Sequence, residues 1–330
     1  MANQYSLNYA DRLHRVLYRS RLYAKMLQIS IGRVPVSDLV RTQFPFLLAD
    51  ATIPSTVSVE LTNYCNLACP YCTSPLKLRP EGLMSPTTFS NLVSQIKQAG
   101  IPRMLLVGNG EPTLHPNFRD YIPRLRDAAK FLSLTTNLQK VSEEILRCIL
   151  NAPIDVVNIS VDGGHKEAYE RMRIGGKFER LLENLTRMRD LKHELHAPTL
   201  INVRVMLLPS QREDEHEILH FWRPYADVVS KQYIMNFYEN FEDGYMNTYK
   251  PETRCTLPFK VLDVQWNGNV PLCSYSWIQI GEPSGFVLGN INETTLYDLW
   301  NGAILQQYRA GHRSRNEAMI PICKNCAGRT

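Results

Sequence analysis

The chain has 330 residues, 44% of them hydrophobic and 21% charged, with eight cysteines and a net charge of +5. That composition supports a sizeable apolar core and excludes both a disordered chain and a small disulfide-stapled domain. No stretch approaches 18 apolar residues, and no basic start leads into an apolar run. Neither a membrane span nor a secretory signal is predicted, and a cytoplasmic location is expected.

Residues 1–50 carry seven basic residues (Arg12, Arg15, Arg19, Arg21, Lys25, Arg33 and Arg41) against three acids (Asp11, Asp38 and Asp50). This segment therefore holds +4 of the +5. A nucleic-acid enzyme would usually show basic character over a whole face, so no nucleic-acid partner is expected. Residues 8–29 show helical periodicity, with Leu13, Val16, Leu17, Ser20, Ala24 and Leu27 on one face. One reading packs this helix on the rest of the chain with its arginines solvated. The other docks it on an anionic membrane surface or an acidic partner.

From residue 56 onward, short β-rich runs alternate with helical patterns. The spacing predicts strands over 56–62, 103–108, 131–137, 155–162, 201–208 and 228–237, and helices over 86–99, 142–150, 165–172, 177–195 and 213–222. Alternating apolar strands and helices predict a parallel sheet covered by helices. Six units without a Gly-x-Gly-x-x-Gly turn favour an open barrel over a dinucleotide-binding fold. The expected architecture is α/β: a helical extension over 1–50, a partial (β/α)6 TIM-like barrel over 51–245, and a small cysteine-rich domain over 246–330.

In a parallel barrel the chemistry collects at the C-terminal ends of the strands. There the sequence places Cys65, Cys69 and Cys72, then "GNGEP" (108–112), then Asn137. Ser160 and Asp162 end the fourth strand, Asn202 and Arg204 lie on the fifth, and Asn236, Tyr238 and Glu239 end the sixth. Three thiolates on one loop bind zinc or an iron–sulfur cluster. Structural zinc asks for four ligands, whereas a cubane held by three cysteines leaves one iron open to a small molecule.

The Cys-x3-Cys-x2-Cys spacing after the first strand resembles the signature of the radical SAM superfamily, and Tyr71 stands where that family often has an aromatic residue. "GNGE" (108–111) resembles the family's Gly-Gly-Glu motif, with Asn109 replacing the first glycine while Gly110 and Glu111 remain. "ISVDG" (159–163) is similar to its ribose-binding strand. The resemblance implies that Cys65, Cys69 and Cys72 hold a [4Fe–4S] cluster and that Glu111 binds the amino group of S-adenosylmethionine (SAM). It assigns Ser160 and Asp162 to the ribose and Arg173 to the methionine carboxylate, with Tyr71, Gly110 and Asn137 also lining the cofactor site. An external one-electron reductant of flavodoxin or ferredoxin type is implied as well. His115 reads as structural, and Cys148, in mid-helix, as a small buried apolar residue.

A second cysteine group follows: Cys255, Cys273 after a predicted hairpin turn at Asn267-Gly268, then Cys323 and Cys326. Four such ligands suit zinc or a cluster. The layout resembles the SPASM/twitch domains of radical SAM enzymes, and "LGNINETTLYDLW" (288–300) matches the segment between their two halves. With the chain ending four residues after Cys326, the resemblance implies one auxiliary [4Fe–4S] cluster with every iron ligated, suited to carrying electrons.

The family chemistry is cleavage of SAM to a 5′-deoxyadenosyl radical, which takes hydrogen from an unactivated C–H bond. Three fates for the substrate follow. Loss of a proton and an electron from a hydroxyl-bearing carbon gives a ketone, as in aminocyclitol dehydrogenases, with the auxiliary cluster as electron acceptor. Return of hydrogen to the other face gives an epimer and needs a donor, often a cysteine. Peptide or protein modification with a separate partner is the alternative. Oxidation of a small molecule such as a sugar or aminocyclitol is preferred, because Cys148 is the one cysteine outside the two groups. Tyr238 and Glu239 are candidates for the substrate base.

Overall fold

The computed structural model describes residues 52–152, 154–208, 211, 214–233, 255–273 and 286–323. The predicted helix over 8–29, and Asn236, Tyr238, Glu239 and Cys326, lie outside those residues.

Seven parallel strands make one sheet. They are β1 (Thr56–Val59), β2 (Arg103–Leu106), β3 (Phe131–Thr136), β4 (Val156–Asp162), β5 (Leu200–Leu207), β6 (Val228–Tyr233) and β7 (Val261–Val264). Their order is β6-β5-β4-β3-β2-β1-β7. The six predicted strands are all present. The seventh comes from the C-terminal segment and pairs with β1 from Thr56↔Val261 to Val59↔Val264. Four residues within an irregular stretch carry too little period-2 signal to show this pairing in the sequence.

The connecting helices are α1 (Pro86–Ala99), α2 (Phe118–Ala128), α3 (Glu143–Asn151), α4 (Lys166–Met172), α5 (Phe178–Glu194) and α6 (Glu215–Trp222). Five of them match the predicted helices to within two residues. The unpredicted one, α2, carries Pro123 in its middle. Proline has no N–H for the carbonyl four residues back, so it reads as a helix breaker. Here the freed Arg119 carbonyl accepts from the Cys148 thiol on α3 at 3.7 Å. Cys148 is half-buried and hydrogen-bonded, rather than the buried apolar filler expected from its mid-helix position.

The C-terminal segment adds an antiparallel pair, β8 (Asn269–Pro271) and β9 (Val287–Asn290), then α7 (Leu296–Asn301) and α8 (Ala303–Ser314). The predicted turn forms: Gly268 adopts φ +89°, and the Gln265 N–H donates to the Asn269 carbonyl before it, at 2.9 Å. Its two arms, however, find different ladder partners, β1 for β7 and β9 for β8. The segment is welded to the barrel. Gln95 on α1 donates to the Ile291 carbonyl at 2.8 Å and accepts from the Leu296 N–H at 2.7 Å. One apolar core runs from β1, β3 and β5 through α1 and α5 to Val270, Leu296, Trp300 and Leu305. Each of these large side chains contributes roughly 1.5–3 kcal/mol on burial.

Partners in a parallel ladder share a face, so the register sorts the strand residues. Val57, Val59, Met104, Leu106, Leu132, Leu134, Val157, Ile159, Val203 and Val205 pack under the helices. The opposite face lines the barrel's interior. Its lower end is a separate apolar floor of Phe131, Val156 and Leu200, with Leu105 and Val228 against it. Above that floor the interior turns polar, with Asn158, Ser160 and Asp162 on β4, Asn202 and Arg204 on β5, and Ser230 on β6.

Candidate active site

The loop after β1 carries Cys65, Cys69 and Cys72, and buried polar contacts hold it to the strand end. Glu60 accepts from Arg79 at 2.8 Å, with both side chains almost fully buried. Asn63 donates to the Pro80 carbonyl and accepts from the Gly82 N–H, each at 2.8 Å. Thr62 donates to the Gly82 carbonyl at 2.7 Å. Trp266, from the turn between β7 and β8, packs so tightly on Gly82 that any Cβ there would overlap the indole. The far side of the loop is held by the segment after α4, where the Ala68 N–H donates to the Ile174 carbonyl at 2.9 Å.

The three thiols form no disulfide; Cys72 raises the pKa of Cys65, and both raise that of Cys69. Burial is the larger cause: it pushes Cys65 up to about 11 and Cys69 up to about 12, and raises Cys72 as well. A thiolate in such a place needs a cationic centre beside it. Donors already point at two of the sulfurs: the Ser74 N–H to Cys72 at 3.4 Å and Asn137 Nδ2 to Cys65 at 3.8 Å. Among the described residues no three Cys, His, Asp or Glu side chains close on a single ion. Three thiols on one loop are a soft donor set, which suits an iron–sulfur cluster.

Beside it stands the "GNGEP" loop. A Cβ on Gly110 would overlap the Thr62 carbonyl and lie 2.5 Å from the Tyr64 carbonyl oxygen, so only glycine fits against the cysteine loop. Asn109, which departs from the family pattern, ties the two loops together. Its N–H donates to Glu60 at 3.0 Å, and its Oδ1 accepts from Thr73 at 2.9 Å. Glu111 is buried. Its Oε1 accepts from the Thr113 N–H and hydroxyl and the Thr136 hydroxyl, at 3.2, 2.8 and 2.8 Å. Among the described residues its Oε2 accepts only from the Asn137 N–H, at 2.7 Å. Burial raises its pKa, and these four donors act the other way. Oε2 is the oxygen with acceptor capacity to spare, and it lies next to the residue that reaches Cys65.

Asp162, Arg173 and Tyr71 form the third part of the rim. The sequence reading gave Asp162 and Arg173 to different parts of a ligand. In the structure they make a buried ion pair with each other. The Tyr71 hydroxyl donates to both carboxylate oxygens, at 2.9 and 3.1 Å, and its ring lies 5.7 Å from the Arg173 guanidinium. Ser160, half-buried, lies one pleat below Asp162.

His115 is structural, as expected. It is buried, its Nε2 meets the Met84 carbonyl at 3.1 Å and its Nδ1 accepts from the Asn117 N–H at 3.1 Å. Cys255 precedes β7, Cys273 follows β8, and Cys323 lies in a short 3-10 turn near Tyr308. The fourth cysteine of that group, Cys326, lies outside the described residues.

Sequence reasoning missed the supports, Glu60, Arg79, Asn63 and Thr136. A signal for Glu60 was present, because alternation in "TVSVE" puts it on the inward face, where a charge needs a partner.

Fold and rim together define a partial parallel barrel that presents a soft-metal donor set at its catalytic end. The chain matches the radical SAM superfamily over residues 59–221 and the SPASM iron–sulfur cluster-binding domain over residues 255–327. It belongs to the radical SAM superfamily, and that membership implies SAM and a [4Fe–4S] cluster as cofactors. PqqA peptide cyclase of Rhodopseudomonas palustris is 31% identical over 125 residues, 38% of this chain and 32% of that protein. The match spans less than half the length of that relative and of the next curated ones. Among solved structures, BtrN in complex with AdoMet and 2-DOIA superposes with a TM-score of 0.54 at 18% identity, over 83% of this chain and 93% of that one. Streptococcus suis SuiB bound to precursor peptide SuiA gives 0.63 at 14% identity, over 89% and 75%. At such identities these likenesses establish the fold.

Proposed function

We propose that this enzyme oxidises a hydroxyl-bearing carbon of a sugar, aminocyclitol or related small molecule to a ketone. In this reading Cys65, Cys69 and Cys72 hold the SAM-binding [4Fe–4S] cluster, and Glu111 takes the SAM ammonium on Oε2. Asn137 bridges these two sites, and Gly110 admits the close approach of their loops. Ser160 and Asp162 face the ribose, and Arg173, oriented by Asp162 and Tyr71, serves the methionine carboxylate. Cys255, Cys273, Cys323 and Cys326 hold the auxiliary [4Fe–4S] cluster. The division into 1–50, 51–245 and 246–330 and an external flavodoxin- or ferredoxin-type reductant belong to the same reading.

When bound, SAM and the clusters supply the radical that takes one hydrogen atom and the sink for one electron; the hydroxyl proton leaves to a base of the chain. The substrate therefore loses two hydrogens in all. Tyr238 and Glu239 are the candidates for that base.

The observation that carries oxidation over epimerisation is the position of Cys148. It is the only cysteine outside the two ligand groups. Its thiol is bonded to the Arg119 carbonyl between α2 and α3, on the helical layer and away from the barrel interior. No cysteine then remains to return hydrogen to a substrate radical. A second reading, peptide modification with a separate partner, is favoured by the names of PqqA peptide cyclase and the SuiB–SuiA complex.

The test is metabolite and peptide profiling of an anaerobic, reconstituted reaction. A small molecule lighter by two mass units is the expected product. Unchanged mass with inverted stereochemistry would indicate epimerisation, and a modified peptide would indicate the second reading.

A further inference from the structure

Below the rim, the barrel interior holds a group of side chains that the cofactor assignment does not use. The register sets Ser160 beside Arg204 and Arg204 beside Ser230; two residues deeper, Asn158 lies beside Asn202. Asn202 Nδ2 donates to Asn158 Oδ1 at 2.8 Å, and Arg204 donates to the same oxygen at 3.3 Å. Among the described residues, that long bond is the one Arg204 makes. Arg79 has Glu60 and Arg173 has Asp162, but among the described residues no carboxylate pairs with Arg204. Burial, with nothing to offset it, lowers the pKa of its guanidinium. Asn202 is fully buried, yet among the described residues its Oδ1 has no hydrogen-bond partner, and neither has the Ser230 hydroxyl.

A half-buried cation with no anion among the described residues, next to a buried acceptor and a buried hydroxyl without partners there, is unfavourable in a finished core. Packing does not require it, because the floor immediately below is built of Phe131, Val156 and Leu200. The amide orientation is fixed by the network. Asn158 must turn its oxygen to Arg204, so Asn202 turns its nitrogen to that oxygen and its own oxygen away.

We propose that Arg204, Asn202 and Ser230 anchor the substrate, and that the substrate is a hydroxylated anion. Its carboxylate or phosphate sits on Arg204, and its hydroxyls meet Asn202 Oδ1 and Ser230 Oγ. Arg204 and Asn202 lie two and four residues below Met206, which pairs with Asp162 at the rim. At about 3.3 Å per residue, that is roughly 7–13 Å inside the barrel. An anion held there leaves the rest of the molecule directed up toward the rim. This deepens the proposed oxidation of a sugar-like molecule and rests on it for the hydroxyls; anion capture is measured without any turnover.

One ligand chemistry has two sources here, since the methionine carboxylate of SAM is also an anion. The test uses the full-length reconstituted enzyme, unreduced and saturated with SAM. Calorimetric titrations are run with gluconate, with inorganic phosphate and with uncharged sorbitol. Saturable binding of gluconate, weaker binding of phosphate and none of sorbitol are expected. Arg204→Gln should weaken gluconate at least tenfold with SAM affinity unchanged. Asn202→Asp, nearly isosteric, supplies Arg204 with a carboxylate and should cause the same loss without a packing defect. Equal gluconate binding in both variants, or none in the wild type, overturns the proposal. So does displacement of gluconate by SAM together with weaker SAM binding by Arg204→Gln, because the anion is then the methionine carboxylate. Loss of two mass units from a neutral substrate, with no anion bound, would defeat this inference while leaving the oxidation intact.

Discussion

The rim of the barrel and its interior are both polar, but they differ in how that polarity is paired. At the rim, Glu111 accepts four hydrogen bonds, Asp162 has Arg173 and Tyr71, and Asn63 and Asn109 use donor and acceptor alike. Glu60 Oε1 is the exception. In the interior, among the described residues, Arg204 makes one long bond, while Asn202 Oδ1 and Ser230 Oγ make none. A region that pairs its polar atoms internally is rigid and ready to position a cofactor. A region that leaves them unpaired is completed by what it binds. The contrast says that orientation is built into the rim and recognition into the depth.

The strongest way to break the rim is to remove its thiols. Replacing Cys65, Cys69 and Cys72 together with alanine should abolish SAM cleavage. Iron should fall from about eight to about four per chain, leaving the auxiliary cluster. Iron analysis and 5′-deoxyadenosine release measure the two effects. Zinc in place of iron in the wild type would remove the cluster assignment altogether.

Next comes the support beneath the cysteine loop. Arg79→Met leaves Glu60 as an unpaired buried carboxylate, and breaking such a pair costs about 3–5 kcal/mol. Urea unfolding of the reconstituted protein measures it. The double variant Glu60→Gln with Arg79→Met should recover part of the loss, since it removes the stranded charge. Equal destabilisation in the single and double variants would mean that Arg79 acts through packing.

Glu111→Gln sharpens the contrast within the rim itself. A carboxylate meeting an ammonium contributes roughly 1.5–3 kcal/mol, so SAM should bind about ten- to a hundredfold more weakly with both clusters retained. Unchanged SAM affinity, with a lower melting temperature, would make Glu111 the hub of a purely structural network formed with Thr113, Thr136 and Asn137.

Much of the catalytic end could be read from the sequence, because its residues follow strands whose period is plain. The cysteines, "GNGEP" and Asn137 arrive at one rim once the strands are placed. What could not be read is pairing across the barrel. Asp162 and Arg173 are 11 residues apart, and nothing in their spacing says that they bind each other. Glu60 and Arg79 meet across a loop whose path is set by Asn63 and Trp266. β7 was hidden for a related reason: a four-residue strand is defined by its neighbour β1, far away in the chain. Helix α2 was hidden by Pro123, and the signal that it persists lies on α3, in Cys148.

Cys148 also provides the smallest and most discriminating test. In α2 the Arg119 carbonyl cannot receive an N–H from residue 123, and the thiol on α3 takes that place at 3.7 Å. A thiol is a weak donor, so Cys148→Ala should cost only about 0.5–1 kcal/mol, enough to lower the melting temperature by a few degrees at most. Cys148→Ser keeps a donor on a shorter side chain and should recover part of the loss. Neither variant should change the product or its amount per SAM cleaved, since the thiol lies in the helical layer outside the barrel. Loss of product with intact SAM cleavage in both variants would instead make Cys148 a hydrogen donor that reaches the substrate. The preference for oxidation over epimerisation would then fall, along with the view that the helical layer plays no part in the chemistry of the interior.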